Sequence, residues 1–470
     1  MIDDDKDNKV VRNSPSGAGG SGGGMSHIYF IGIGGIGMSA LARYFNSRGV
    51  KVSGYDRSST TLTKELEAEG MHIHYEDSIE MAPKNADLVV YTPAIPAAHT
   101  ELAFYRSNGY TVVKRSDVLG TITESSFNIC VAGTHGKTTT STMIAHILRH
   151  TEYGCNAFLG GISANYETNF WANERNVCVV EADEYDRSFL KLAPDVAVIT
   201  SMDPDHLDIY GTAEEFENAF VQFGKKVKPG GYLITKHGLK RSGDLAADVH
   251  LTYSYDDSDA DVYAVDMRIE NEAYVFDVVG KDWMLTDVKL EMGGLHNIEN
   301  CIAAIAVAKQ LQIEDHRIKD AVQEFRGVKR RFEYVLKEDE HVLIDDYAHH
   351  PEELRALISG VRSLFNKRLV MIFQPHLYTR TKDQADGFAE VLDTTDEVIL
   401  LPVYPARELP IEGVSSEMIL SKMKMKDKQV LSKEDMREWV RKVQPGLLVM
   451  SGAGDIDAEV KMVKQLLLEQ

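Results

Sequence analysis

Short apolar runs, each closed by a glycine or a cluster of polar residues, recur along this chain, and stretches with apolar residues every three or four positions lie between them. In the first quarter His27–Ile31, Lys51–Tyr55 and 87–91 read as buried strands, with helical spacing at 38–48. In the middle, Phe127–Ala132, 177–180 and 196–200 read as strands, 139–149 and 301–311 as helices, and 232–288 as short polar and aromatic β segments. The last third repeats the pattern, with strands at 342–344, 368–373, 397–401 and 447–450. Strands alternating with helices imply βαβ units and parallel sheets. The expectation is an α/β protein of three domains: an N-terminal Rossmann-like domain at 25–124, a central P-loop-type ATPase domain at 125–328 and a C-terminal Rossmann-like domain at 329–470. Residues 1–24, rich in Gly and Ser, read as a flexible tail or linker. Ligands in such sheets bind outside the carboxyl ends of the strands, so the chemistry is sought there.

Strand 127–132 runs through Ala132 into Gly133-Thr134-His135-Gly136-Lys137-Thr138-Thr139, which opens a helix. Glycines admit backbone N–H groups to phosphate oxygens, and the helix N-terminus adds positive potential. Lys137 is placed to reach terminal phosphates and the Thr138 hydroxyl to reach Mg²⁺, although Val131 stands where a full Walker A motif has its first glycine. The first strand runs into Gly32-Ile33-Gly34-Gly35-Ile36-Gly37, with Asp56 at the end of the next strand. That spacing is a dinucleotide fingerprint, and NAD is its default ligand. Thr92, at the end of a further strand, and Lys114-Arg115 face the same site or form a solvated pair. Glu181, directly after an apolar run, reads as a metal ligand, whereas Asp183, Asp203, Asp205 and Asp208 read as caps or turn residues. His296 and Asn297 read as a helix cap, and Gly327 to Phe332 as a basic hinge or surface charge. In the last third two His, a Tyr and an Arg on neighbouring strand ends can orient a small zwitterion. Strand 397–401 leads there into Pro402 to Arg407.

Charge and composition narrow the picture. Lys plus Arg number 51 and Asp plus Glu 72, a net charge of −21, which argues against a nucleic-acid or anionic-membrane binder. A phosphorylated ligand would need local cations or helix ends. Cys130, Cys155, Cys178 and Cys301 lie far apart and read as reduced core residues. No apolar run is long enough to span a bilayer and no signal-peptide pattern is visible, so a cytoplasmic protein is expected.

Taken together, Gly32 to Met38, Gly133 to Thr138, Glu181-Ala182-Asp183-Glu184, Asp205-His206, His296-Asn297 with Asn300, Arg330-Arg331-Phe332, Asp345-Asp346-Tyr347-Ala348-His349-His350-Pro351 and Gln374-Pro375-His376 resemble the Mur ligases over essentially 25–470. These are the ATP-dependent amide-bond-forming enzymes of bacterial peptidoglycan synthesis. The resemblance implies that the first glycine loop takes the UDP part of a substrate instead of NAD, through Gly32, Gly34, Gly35, Ile36, Gly37, Asp56, Thr92 and Arg115. It implies ATP on Ala132 to Thr139 with His296, Asn297, Arg331 and Asp346, Asn297 touching adenine. It matches Thr138, Glu181 and His206 to magnesium, and Tyr347, His349, His376 and Arg380 to the incoming amino acid. Lys137, Glu181, His206, His349 and Arg380 are then the catalytic set. The implied reaction joins L-alanine to the lactyl carboxylate of UDP-N-acetylmuramate through an acyl phosphate, in the bacterial cytoplasm, by a monomer or weak homodimer. Two departures stand out: Leu377 replaces a frequent Arg, and Leu295 a frequent basic residue. The alternatives are a ligase that re-attaches a recycled murein tripeptide, an NAD-dependent dehydrogenase fused to a P-loop module, and a nucleotide-sensing switch.

Overall fold

The computed structural model describes residues 25–406 and 408–469; the expected tail at 1–24, Arg407 and Gln470 lie outside the described residues. Strands β1 (His27–Ile31), β2 (Lys51–Tyr55), β3 (His72–His74), β4 (Leu88–Tyr91) and β5 (Val112–Lys114) form an all-parallel sheet in the order β3-β2-β1-β4-β5. Every residue of β1 is buried, as an unbroken apolar run in a parallel sheet requires. The order reverses at β1, so its carboxyl end opens on a crevice.

The second sheet has ten strands: β6 (Phe127–Ala132), β7 (Asn156–Ser163), β8 (Thr168–Trp171), β9 (Val177–Glu181), β10 (Val196–Ile199), β11 (Tyr232–Lys236), β12 (Val249–Ser254), β13 (Val262–Glu270), β14 (Ala273–Gly280) and β15 (Trp283–Leu290). Their order is β15-β14-β13-β12-β11-β10-β6-β9-β7-β8. β6 lies between β10 and β9, parallel to both, which places the loop after it at a second switch point. The region read as short β segments is a parallel extension ending in a long antiparallel meander, β13 to β15.

The third sheet holds β16 (Glu333–Lys337), β17 (Val342–Asp346), β18 (Leu369–Phe373), β19 (Glu397–Leu400), β20 (Lys428–Val430) and β21 (Leu447–Ser451), ordered β16-β17-β21-β18-β19-β20. Only β16, at one edge, is antiparallel.

Helix Lys137–His150 is buried from Thr139 to Leu148 and packs beside helix Leu295–Gln310. Ala303, Ala304, Ala306 and Ala308 are buried, and their small side chains let the second helix approach closely. This helix starts six residues before the expected 301, behind an N-cap at Gly294 (φ +91°). His296 and Asn297 therefore occupy its first turn and are not its caps. The first and second sheets are stitched together by Asn169 of β8, which is fully buried. Its amide donates to Ser39 Oγ at 2.9 Å and to the Ile36 carbonyl, and Arg43 donates back to it. All four cysteines are buried and unpaired. Among the described residues no helix is long and apolar enough to cross a membrane.

Candidate active site

The loop after β6 is shaped by two glycines. Gly133 has φ +144° and Gly136 φ +82°, and a Cβ on Gly136 would stand 2.6 Å from Asn300 Oδ1. Glycine fits both the backbone and the space. Asn300 Oδ1 accepts from the Thr140 hydroxyl at 3.1 Å, and its amide donates to Asn297 Oδ1 at 3.2 Å. The Asn297 amide donates in turn to the Gly293 carbonyl at 2.7 Å. Asn297 is thus wired to the phosphate loop, but its side chain is buried and turned inward, whereas His296 is exposed and near Arg331. The loop is braced from the stretch after β10: Thr134 Oγ1 donates to the Asp203 carbonyl at 2.7 Å, the His135 N–H donates to Ser201 Oγ at 2.7 Å, and Thr200 Oγ1 donates to the His135 carbonyl. Lys137 donates to the Gly133 carbonyl at 2.5 Å and to Glu184 Oε1 at 2.8 Å. Glu184 had no role in the sequence reading. It stands in the strand-end run Glu181-Ala182-Asp183-Glu184, in which only Glu181 and Asp183 were given readings.

Glu181, at the end of β9, accepts the Gly160 N–H at 3.1 Å and lies within reach of the Thr138 hydroxyl and the Lys137 ammonium. Burial pushes its carboxyl pKa up, against the pull of Lys137 and Thr138. A carboxylate and a hydroxyl are hard oxygen donors that suit Mg²⁺, and a cation here would offset the burial of Glu181. His206 lies on the stretch between β10 and a short helix at Leu207–Tyr210. It has φ +52°, stands 3.7 Å from Asp205 Oδ2 and packs edge-on against Tyr185, and among the described residues no hydrogen bond or ion pair links it to Glu181 or Thr138. No cluster of three or more His, Cys, Asp or Glu placed to hold a metal occurs among the described residues. Of the expected magnesium set, Thr138 and Glu181 are in side-chain contact.

The first glycine loop keeps its dinucleotide spacing, but its acid is turned onto the loop itself. Asp56 Oδ2 accepts the Gly34 N–H at 2.8 Å, so the acid braces the loop. Arg115 lies against Gly37 and donates to Asp183 Oδ2 at 3.2 Å, and Lys114 pairs with Asp186 at 2.7 Å. Neither cation is the solvated residue that one reading allowed; both tie the first sheet's unit to the strand-end acids of the second. A cavity of about 300 Å³ lies between them, lined by Gly35, Ile36, Gly37, Thr92 and Arg115 on one side and by Gly160, Glu181 and Asp183 on the other.

At the third sheet the segment 327–332 is only partly buried: Val328 and Phe332 are covered, Lys329 and Arg330 are intermediate and Arg331 is exposed. Arg330, at φ +61°, sits 3.5 Å from Asp345 and 3.6 Å from Asp457, donates to the Gly452 carbonyl and lies over the Tyr347 ring. Asp346 accepts the N–H of Phe332 and of Ala348, each at 2.7 Å. Burial raises its pKa to about 6 despite those bonds and the nearby Arg331, which is itself exposed. The rings of Tyr347, His349, His376 and Tyr404 form a chain, with centroids 5.2, 6.1 and 5.8 Å apart. Burial, then Arg380 and His349, hold His376 below the usual imidazole pKa. His349 Nδ1 lies 2.9 Å from the Tyr347 carbonyl and 3.3 Å from Glu353 Oε2, both acceptors, so in the neutral ring Nδ1 carries the proton and Nε2 the lone pair. His376 Nδ1 and Arg380 Nη1 are buried with no hydrogen-bond partner among the described residues. Leu377 takes φ +69° to start the short helix carrying Arg380. Tyr347, His349, His376 and Arg380 are thus gathered at one place, with Tyr404 and Arg330 as members that sequence reasoning missed. Both sit in loops whose partners come from other strand ends.

Residues 27–126 match the model described as Mur ligase family, catalytic domain; 131–308 match the Mur ligase middle domain; and 330–454 match the Mur ligase, glutamate ligase domain. The UDP-N-acetylmuramate–L-alanine ligase of Porphyromonas gingivalis is 47% identical over 452 residues, 94% of this chain and 99% of that protein. The protein of the same name from Parabacteroides distasonis is 49% identical over 454 residues, 95% and 98% of the two chains. Among solved structures, the UDP-N-acetylmuramate–alanine ligase of Thermotoga maritima aligns with a TM-score of 0.79 at 28% identity, covering 94% of this chain and 98% of that one. A murein peptide ligase of Psychrobacter arcticus shares the fold with a TM-score of 0.65 at 23% identity, covering 94% and 99%.

Proposed function

The chain belongs to the Mur ligase family, and on that premise we propose that it joins L-alanine to the lactyl carboxylate of UDP-N-acetylmuramate, driven by conversion of ATP to ADP and phosphate. The observation that carries the chemistry is the cavity shared by the first glycine loop and Glu181, beside the phosphate loop. A substrate held by its UDP part on Gly35 to Gly37 and Arg115 would extend its acyl end toward Lys137, where a terminal phosphoryl group would lie. In this reading 25–124 binds the UDP-sugar, 125–328 binds ATP and 329–470 binds the amino acid.

A carboxylate is a poor electrophile, so it must first be phosphorylated; the amine then attacks the acyl carbon and phosphate leaves. Lys137 neutralises charge on the transferring group, and the loop amides orient it. Thr138 and Glu181 would hold Mg²⁺, which supplies further neutralisation of phosphate oxygens when bound. At the third sheet Arg380 offers an uncommitted buried guanidinium N–H to the amino-acid carboxylate. His376, kept neutral, and His349 through Nε2 are placed to take the ammonium proton of the attacking amine. Soluble nucleotide substrates fit a cytoplasmic bacterial enzyme.

The test is phosphate release with ATP, Mg²⁺ and UDP-N-acetylmuramate across a panel of amino acids and a murein tripeptide. L-Alanine is expected to lead, with glycine roughly tenfold poorer, about the value of one buried methyl group. A tripeptide that outperforms L-alanine replaces this reading with the recycling one.

A further inference from the structure

The Lys137 ammonium is held by one carboxylate, Glu184, to which nothing above gives a part in the reaction. Glu184 lies at the turn after Glu181-Ala182-Asp183 and its side chain is only 3% exposed. Both of its oxygens are 2.8 Å from Lys137 Nζ. Only Oε1 makes a hydrogen bond with it; Oε2 has no hydrogen-bond partner among the described residues. The backbone that carries it is anchored, because the main-chain carbonyl of Glu184 accepts the hydroxyl of Tyr210, a buried residue, at 2.5 Å. The third contact of the ammonium is the Gly133 carbonyl of the phosphate loop, at 2.5 Å. The lysine therefore sits between its own loop and one buried anion. Glu181, the other acid nearby, points to Gly160 and Thr138 instead.

We propose that Glu184 is a positioning residue for Lys137. Its carboxylate balances the ammonium in a half-buried site and fixes the direction from which the lysine meets the transferring phosphoryl group. A lysine side chain has four rotatable carbon bonds and no preferred reach of its own. The Gly133 carbonyl is a neutral partner, so it is the contact that yields when a phosphoryl oxygen enters, while the charge-assisted bond to Glu184 persists. The inference rests on the assignment of the loop at 133–139 to phosphate transfer.

The experiment is a double-mutant cycle on the full chain, in the phosphate-release assay with ATP, UDP-N-acetylmuramate and L-alanine. Glu184→Gln keeps shape and one acceptor but removes the charge, and kcat is expected to fall on the order of 10²-fold, the cost of about 1 Å of misplacement. KM for ATP is expected to stay level or to drop, because a negative charge leaves the neighbourhood of a triphosphate. The magnesium titration is expected to keep its midpoint, and Glu184→Asp to recover part of kcat. In a Lys137→Ala background Glu184→Gln is expected to add nothing, since a residue acting through the lysine is silent without it. Multiplying effects in that background, or a displaced magnesium midpoint in Glu184→Gln, overturn the proposal and make Glu184 a metal ligand. Normal kcat in Glu184→Gln overturns it too. Near-normal turnover in Lys137→Ala alone removes instead the phosphate-loop assignment beneath it. A melting temperature measured for each variant separates loss of fold, which lowers active fraction without changing KM, from loss of positioning.

Discussion

Asp345 offers a quantitative test of the electrostatics at the hinge. Its carboxyl sits at the end of β17, 3% exposed, and Oδ1 has no hydrogen-bond partner among the described residues. Burial raises its pKa to about 7; Arg330, 3.5 Å away, pulls it down, while Glu333, Asp346 and Asp457 push it up. In the unfolded chain the same group titrates near its reference value, about 3.9. Between those values the folded protein holds a proton that the unfolded chain has released. Stability therefore falls as pH rises through that window, and the loss is complete above pH 7. Three pKa units correspond to about 4 kcal/mol, of which two units, about 3 kcal/mol, fall between pH 5 and pH 7. Asn at 345 mimics the protonated carboxyl and does not titrate. The melting temperature of Asp345→Asn relative to the wild type is expected to rise from pH 5 to pH 8 by roughly 5–10 °C, at about 2–4 °C per kcal/mol. Asp346 pushes on Asp345 and titrates with it, so the same comparison in an Asp346→Asn background isolates the share of Asp345. Parallel melting curves across that range, or a wild type that gains on the variant as pH rises, would refute the burial-dominated account of Asp345 and leave Arg330 as the stronger influence.

Lys137→Ala is expected to lower kcat by roughly 10²–10³, as loss of a transition-state donor does, with binding of the UDP substrate unchanged in calorimetry. Glu181→Gln and His206→Ala are each expected to raise the magnesium concentration needed for half-maximal rate; an unmoved midpoint in His206→Ala would take that residue out of the metal set. Arg380→Ala is expected to raise KM for L-alanine roughly thirtyfold, from about 2 kcal/mol for a charge-assisted hydrogen bond, with KM for ATP steady. Arg380→Lys is expected to recover only part of that, because it lacks the planar fork.

Much of this architecture was legible because buried parallel strands leave unbroken apolar runs. β1, β6, β9, β10 and β18 could be read that way, and so could the loops at their carboxyl ends. Less legible was anything decided between units. Lys114 and Arg115 could have been a solvated pair, and only the fold sets them against Asp186 and Asp183, about seventy positions away in sequence. His206 stands in a motif next to Asp205, and only the fold gives it a backbone at φ +52° with the Tyr185 ring edge-on to it. Arg330 and Arg331 look equivalent in sequence. Arg330 is gathered in by Asp345, Asp457 and Gly452, while Arg331 remains exposed. Such differences depend on which strand end faces which loop, and periodicity carries no information about that.

The first glycine loop shows how a short contact can settle what a spacing leaves open. In a dinucleotide fold the acid after the second strand serves the ribose hydroxyls, and the loop amides serve the pyrophosphate. Here Asp56 accepts the Gly34 N–H at 2.8 Å, so acid and amide are committed to each other. A ribose placed at Asp56 would compete with the brace that holds the loop's shape. Gly35, Ile36, Gly37 and Arg115 line the cavity that Phe158, Gly160 and Glu181 close from the second sheet. A ligand filling that cavity would lie beside Glu181, the acid next to Thr138 and Lys137. A hydride acceptor has no use for a carboxylate and an ammonium at the far end of its crevice. An anionic acyl group about to receive a phosphoryl group does, and the geometry around the first loop favours that kind of substrate.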